Sequence, residues 1–204
     1  MSICYIVGAG EFYGRFTRGA GDLVIAADGG YDTLKALGVS PDLILGDMDS
    51  LKGTAPNIES LVFPVRKDET DSFLAYREGV RRGYTEFKLY GCVGGREDHT
   101  FANYSLLLYA KERGHEMTLV SKCTDAFVLK NESITLSGTP YSHLSLFAFG
   151  GEARRVSVHG AEYEAEGITL TPSYPLGVSN RFCKSEVKIE VKDGTLLVMI
   201  EKTP

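Results

Sequence analysis

Six aspartates stand beside glycines or at the mouths of helix-like stretches. Asp28 lies in Ala27-Asp28-Gly29-Gly30, Asp47 and Asp49 in Gly46-Asp47-Met48-Asp49-Ser50, Asp68 and Asp71 in Lys67-Asp68-Glu69-Thr70-Asp71, and Asp98 in Gly94-Gly95-Arg96-Glu97-Asp98-His99. Carboxylates gathered at one sheet edge repel one another unless a cation sits among them, and hard divalent ions choose oxygen ligands. The pattern reads as a centre for Mg²⁺ and phosphates. A single Asp beside Gly is commonly just the start of a turn. The group together asks for more than turns.

Each segment adds a reason. If the backbone is extended through Met48, Asp47 and Asp49 project to the same side and can face one cation. Mg²⁺ typically takes one or two carboxylates and fills its shell with water and phosphate oxygens. Asp68 and Asp71 stand at a helix entrance, with Thr70 or Asp68 as the N-cap, near the positive end of the helix dipole. Arg66 and Lys67 just before them add cationic partners for phosphate. In the fourth segment the glycines bring backbone amides close to a ligand, Arg96 neutralises phosphate charge, and Asp98 can cap the helix or reach the metal. His99 falls in a first helical turn, where a lone histidine is usually structural or solvated. Gly8-Ala9-Gly10-Glu11-Phe12-Tyr13-Gly14 approaches a dinucleotide fingerprint, but its spacing is one residue too long. It is read as a nucleotide contact and not as an NAD site.

The elements that must position these groups follow from hydrophobic periodicity. Up to about residue 120, short apolar runs alternate with amphipathic stretches, the pattern of a mostly parallel sheet flanked by helices. Strands are predicted at 3–7, 23–27, 43–45, 61–65, 87–90 and 117–120, and helices at 31–37, 70–82 and 98–113. Phe73, Leu74, Arg77 and Val80 fall near one face of the second helix. Phe101, Tyr104, Leu107 and Leu108 form the expected core stripe of the third, and Gly83 and Gly114 end the two. Beyond Ser121 the texture becomes short alternating runs, and the spacing predicts strands only. Asp193-Gly194, between the runs 186–191 and 196–200, is a hairpin signal. The expected organisation is an α/β domain over residues 1–121 and an all-β domain over 122–204.

Composition excludes some partners. The chain has 204 residues, 43% of them hydrophobic, and a formal net charge of −5, which argues against nucleic acid or an anionic membrane surface. No apolar run approaches the roughly 20 residues needed to span a bilayer. The N-terminus lacks a basic region and resembles no signal peptide. Cys4, Cys92, Cys123 and Cys183 are too scattered for a zinc knuckle or redox pair. These features set the expectation of a cytoplasmic protein that handles a small charged metabolite.

Taken in order, the four aspartate segments and Gly177-Val178-Ser179-Asn180 resemble thiamine pyrophosphokinases over nearly the whole chain. The resemblance implies an N-terminal Rossmann-like α/β domain and a C-terminal β-sandwich. It also implies transfer of the terminal diphosphate of ATP to the hydroxyl of thiamine, giving thiamine diphosphate and AMP. Asp47, Asp49, Asp71 and Asp98 would be the catalytic acids that organise Mg²⁺ and phosphates, with Asp71 or Asp98 accepting the hydroxyl proton. Asp28 and Asp68 would support that centre, and Arg96 would meet the phosphates with His99 beside it. Ser179 and Asn180 would hold the pyrimidine of thiamine at the interface of a homodimer. The chain has no Trp to stack on the vitamin, and Arg181 stands where the family often has an acid, so Tyr163, Tyr174 or Phe182 would supply the aromatic surface. Two other readings share the same motifs: a diphosphokinase for another alcohol such as a pterin, and a non-catalytic thiamine or nucleotide binder.

Overall fold

Apolar runs without polar alternation, such as Cys4-Tyr5-Ile6-Val7, can be buried only if both faces of their sheet are covered. A computed structural model of the chain describes residues 2–14, 17–46, 57–63 and 68–202 and shows how this is achieved. The chain divides into two compact units, Met1–Lys122 and Cys123–Pro204. Asp47, Asp49, Arg66, Lys67 and the end of the predicted strand at 61–65 lie outside the described residues.

The first unit runs β1 (Cys4–Val7), β2 (Leu23–Ala27), α1 (Gly30–Ala36), β3 (Leu43–Gly46), β4 (Glu59–Val62), α2 (Asp71–Arg81), β5 (Glu86–Tyr90), α3 (Glu97–Lys111) and β6 (Glu116–Val120). Its strands pair in parallel in the order β6-β5-β1-β2-β3-β4. The chain winds outward from β1 through β4, then returns to the other side of β1 for β5 and β6. The reversal lies between β1 and β5, the place where open parallel sheets bind ligands beyond the carboxyl ends of their strands.

Tyr5 and Val7 point to one face, where they pack with Val24, Ile44 and Leu34 of α1. On the other face α2 comes close because residue 79 is glycine: a Cβ there would lie 2.6 Å from Phe87 and 2.9 Å from the Cys4 sulfur. Helix α2 accordingly buries Leu74, as expected, together with Ala75, Tyr76, Glu78 and Gly79, while Arg77 of the expected stripe is exposed and Phe73 and Val80 are half-buried. Small residues and a paired Glu, invisible to a count of apolar positions, make that contact together with Leu74 and Tyr76. The same correction applies to α3. Asn103, Leu106, Leu107 and Ala110 are buried, while Phe101, expected in the core, is 67% exposed and Tyr104 and Leu108 are half-buried. Gly83 and Gly114 do end the two helices, each in the left-handed conformation (φ 89° and 77°).

The second unit contains β7 (Thr124–Lys130), β8 (Ser133–Ser137), β9 (His143–Ala148), β10 (Ala153–His159), β11 (Ala165–Leu170), β12 (Asn180–Arg181), β13 (Glu186–Asp193) and β14 (Thr195–Glu201). They pair antiparallel as β12-β9-β14-β7 and as β11-β10-β13-β8. Leu144, Leu146 and Val198 from the first set share one core with Val156, Val187 and Ile189 from the second. The Asp193-Gly194 hairpin is not formed: β13 and β14 pair with different neighbours, so the turn arches from one set of strands to the other. Gly194 (φ 105°) donates its N–H to Asn131 Oδ1 at 2.8 Å, in the equivalent arch between β7 and β8. An Asp-Gly pair supplies the left-handed turn for either geometry; burial of alternate side chains decides which strands pair. Among the described residues no helix is long and apolar enough to cross a membrane.

One buried charge ties α2 down. Glu78 is 8% exposed, and its carboxylate accepts from Arg81 Nε and Nη2 and from Arg82 Nε, all at 2.7 Å, while Arg82 reaches on to Glu59. The Arg81 hydrogen bonds, with those of Arg82, hold the Glu78 carboxyl below its ordinary range against the opposing effect of burial. A depressed folded pKa means that this stabilisation is complete above the unfolded glutamate value and drains away as pH falls through the folded one. Glu78→Gln should therefore cost about 1–3 kcal/mol at pH 7 and much less near pH 3. Urea midpoints at both pH values check this, and an equal loss at the two would contradict it.

Candidate active site

Beyond their carboxyl ends, β1 and β5 run into glycine loops that touch. Gly8 donates its N–H to the Tyr90 carbonyl and Gly10 to that of Gly91, both at 2.8 Å, so the pairing of the two strands continues through the loops. A Cβ on Gly8 or Gly10 would lie 2.7 Å from the Gly91 oxygen, which no side chain tolerates. On this floor stands a cleft of about 330 Å³. Its walls are the two loops, Asp28 after β2, Thr70-Asp71-Ser72 at the start of α2, and Gly94-Gly95-Arg96 with His99 and Asn103 of α3.

The cleft brings together Asp28, Asp71, Arg96 and His99 of the residues singled out by sequence. Asp28 adopts a left-handed conformation (φ 54°), with its N–H donated to the Leu45 carbonyl at 2.8 Å. A non-glycine residue held so is the sort of strain that collects at functional sites. Thr70 is the N-cap of α2, its Oγ1 accepting from the Phe73 N–H at 3.3 Å, so Asp68 does not cap and Asp71 becomes the first helical residue. Asp68 is exposed and is not part of the cleft wall. In α3 the N-cap position is Arg96, without a side-chain cap, so Asp98 does not cap either. Asp98 instead grips Arg96 through two hydrogen bonds, Nη2 to Oδ2 at 2.6 Å and Nε to Oδ1 at 3.1 Å. Arg96 holds the Asp98 carboxyl below the usual carboxylate range. Arg96 lines the cleft and Asp98 does not.

Two helix starts, a glycine turn and an arginine lining one space suit a polyphosphate. Among the described residues no three His, Cys, Asp or Glu side chains converge to make a metal cage. Mg²⁺ needs none, since phosphate oxygens and water complete its shell, and the hard oxygen donors Asp28 and Asp71 fit it. Sequence reading missed Ser72, Cys92 and Asn103 on the wall. Burial pushes the Cys92 thiol up to about 11, so it stays neutral at physiological pH. The signal for Asn103 was a polar residue set within an otherwise apolar helical stretch.

The second unit has a cavity of its own, of about 440 Å³, with an apolar lining that includes Leu146, Val156, Ile168 and Leu176 and with Tyr163, Glu164, Glu166 and Asn180 as its polar lining. Asn180 is buried and largely spent on the backbone: Oδ1 accepts from the N–H groups of Tyr163 (2.9 Å) and Arg181 (2.8 Å), and Nδ2 donates to the Tyr163 carbonyl (2.8 Å). It pins the Tyr163 segment to β12. Ser179 is exposed and left-handed (φ 60°), donating its N–H to Ser145 Oγ at 3.1 Å. Phe182 is fully buried and cannot stack on a ligand, which corrects that expectation; Tyr163 and Tyr174 are each 66% exposed.

Comparison with known proteins bears on both units. Residues 19–119 match the family model described as thiamin pyrophosphokinase, catalytic domain, and residues 131–196 match thiamin pyrophosphokinase, vitamin B1 binding domain. The chain is 24% identical over 190 residues to the thiamine pyrophosphokinase of Bacillus subtilis, covering 89% of this chain and 87% of that protein. Among solved structures it is similar to the Bacillus subtilis enzyme (TM-score 0.90, 21% identity, all of both chains). It is also similar to that of Geobacillus thermodenitrificans (TM-score 0.86, 25% identity, 98% of both chains).

Gly95 tests whether the turn before α3 contributes to the site. It is left-handed (φ 71°), and a Cβ there would meet nothing within 4 Å, so Gly95→Ala perturbs the backbone alone. A left-handed L-residue costs about 1–2 kcal/mol, and ATP affinity measured by calorimetry should fall about tenfold with the fold unchanged by circular dichroism. Unaltered affinity would remove the turn from the site.

Proposed function

The chain belongs to the thiamine pyrophosphokinase family, and on that premise we propose that it transfers the diphosphate of ATP to the hydroxyl of thiamine. The observation that carries this is the cleft at the β1/β5 reversal, where Asp71 and Arg96, from two different helices, face the same glycine-built floor. Residues 1–121 would form a Rossmann-like domain that binds ATP and Mg²⁺, and residues 122–204 a β-sandwich that binds thiamine. The same reading makes the protein a cytoplasmic homodimer with the vitamin held at the subunit interface.

In the reaction the hydroxyethyl oxygen of thiamine bonds to the β-phosphorus of ATP, the bond from that phosphorus to the oxygen it shares with the α-phosphorus breaks, and AMP leaves. Such a transfer asks the protein chiefly to position groups and to neutralise charge. Bound Mg²⁺ supplies neutralisation of phosphate oxygens; Asp28 and Asp71, with Asp47 and Asp49 assigned from sequence, would hold it. The amides of Gly94 and Gly95 and the start of α3 take phosphate oxygens, and Asp98 aims Arg96 at them. Asp71 accepts the hydroxyl proton in this reading, because it lines the cleft while Asp98 does not. Asp68 adds negative charge at the entrance of α2. In the second unit Asn180 acts through Tyr163, whose exposed ring is the stacking surface for thiamine, and Ser179 offers its hydroxyl beside it.

Purified protein with Mg-ATP and thiamine should yield AMP and thiamine diphosphate in equal amounts by chromatography; AMP without a phosphorylated acceptor would sink the assignment. Asp71→Asn should lower kcat at least about a hundredfold with the fold intact, the scale of losing a main electrostatic group. Near-normal AMP formation by the folded variant would take Asp71 out of the mechanism. Asn180→Ala, by releasing the Tyr163 segment, should raise KM for thiamine more than for ATP. Equal effects on the two substrates would contradict the placement of the vitamin.

A further inference from the structure

Asn103 is the buried polar residue of the cleft that no step above uses. It is 5% exposed, in the second turn of α3, and its Nδ2 donates to the Cys92 carbonyl at 2.7 Å. Its Oδ1 makes no hydrogen bond among the described residues, so that one bond is what fixes the side chain on the cleft wall. Cys92 begins the turn that runs through Gly94 and Gly95, both left-handed (φ 81° and 71°), to Arg96. Nothing packs within 4 Å of where a Cβ would stand on either glycine. The turn is held at its start by Gly91 against Gly8 and Gly10, and from α3 by this amide.

We propose that Asn103 is a positioning residue for diphosphate transfer: by clamping the Cys92 carbonyl it sets the register of the Gly94-Gly95-Arg96 turn against the phosphates of the bound nucleotide. The inference rests on the diphosphotransfer reading and extends it to a residue outside the acidic motifs. An amide is the right group for the task because it donates without charge, in a wall where Cys92 is also neutral. A carboxylate of the same shape would set two oxygens face to face and push the turn away, and only its protonated form could donate as the amide does.

The test is therefore Asn103→Asp, assayed for AMP and thiamine diphosphate from pH 5.5 to 8.5. Activity should fall at least about tenfold at pH 8 and recover relative to wild type as the pH drops and the new carboxyl takes a proton. The loss should appear in kcat and in KM for ATP, with KM for thiamine within about twofold. The other ionisable groups facing this wall, Asp28, Asp71, Cys92, Arg96 and His99, are common to both proteins, so the ratio of variant to wild type isolates residue 103. A ratio constant with pH, or a loss confined to thermal stability, would overturn the proposal. If the Asp variant does not fold, Asn103→Ala decides: a pH-independent fall in kcat and rise in KM for ATP, with KM for thiamine within about twofold, supports the clamp, and parallel rises in KM for both substrates refute it. A wild-type protein that makes no thiamine diphosphate would instead refute the functional reading itself.

Discussion

The backbone contact between the loops after β1 and β5 is the constraint from which the rest of the site follows. Two parallel strands at the point where the winding reverses would ordinarily splay apart beyond their ends. Here Gly8, Gly10 and Gly91 let the main chains approach until they hydrogen-bond, and no side chain fits between them. That closure makes a floor of peptide groups instead of an open crevice. The starts of α2 and α3 border it because the strands they connect end there.

The starts of α2 and α3 favour negative charge, and the carboxylates of the cleft wall oppose it. Both stand in the same cleft, which is a sensible arrangement only if cations sit between them. Arg96 is the fixed cation, oriented by Asp98, and Asp28 and Asp71 are oxygen donors suited to a mobile one. The strained conformation of Asp28 is consistent with this use, since a turn alone could have used glycine at that position.

The second unit solves a different problem, a ligand surface built on strands. Its arches at Asn131 and Gly194 carry the chain from one set of strands to the other, so that alternate side chains meet in one core. What remains exposed is a set of loops, and Asn180 fixes one of them by spending most of its hydrogen bonds on the Tyr163 backbone. Under the proposed function, recognition there would depend less on the asparagine touching a ligand than on the Tyr163 segment it holds in place.

Much was readable from residue order. The alternation of apolar runs with amphipathic stretches implied parallel strands and helices before residue 120 and strands after it, because burial on both faces and burial on one leave different periodicities. Of the aspartates beside glycines or helix starts, Asp28 after β2 and Asp71 at the start of α2 line the cleft. Periodicity failed where small or polar residues made the contacts: Gly79 and Ala75 on α2, Asn103 on α3, and the outward-facing Phe101. Asp193-Gly194 declared a turn but not its partners, and Asp98 declared an acid but not that Arg96 would claim it. Residue types and spacing determine which local conformations and charges are available. Which side chains share a cavity, and which are consumed holding one another, is decided only when distant segments pack, because hydrogen bonds and van der Waals contacts act over a few ångströms of space whatever the separation along the chain.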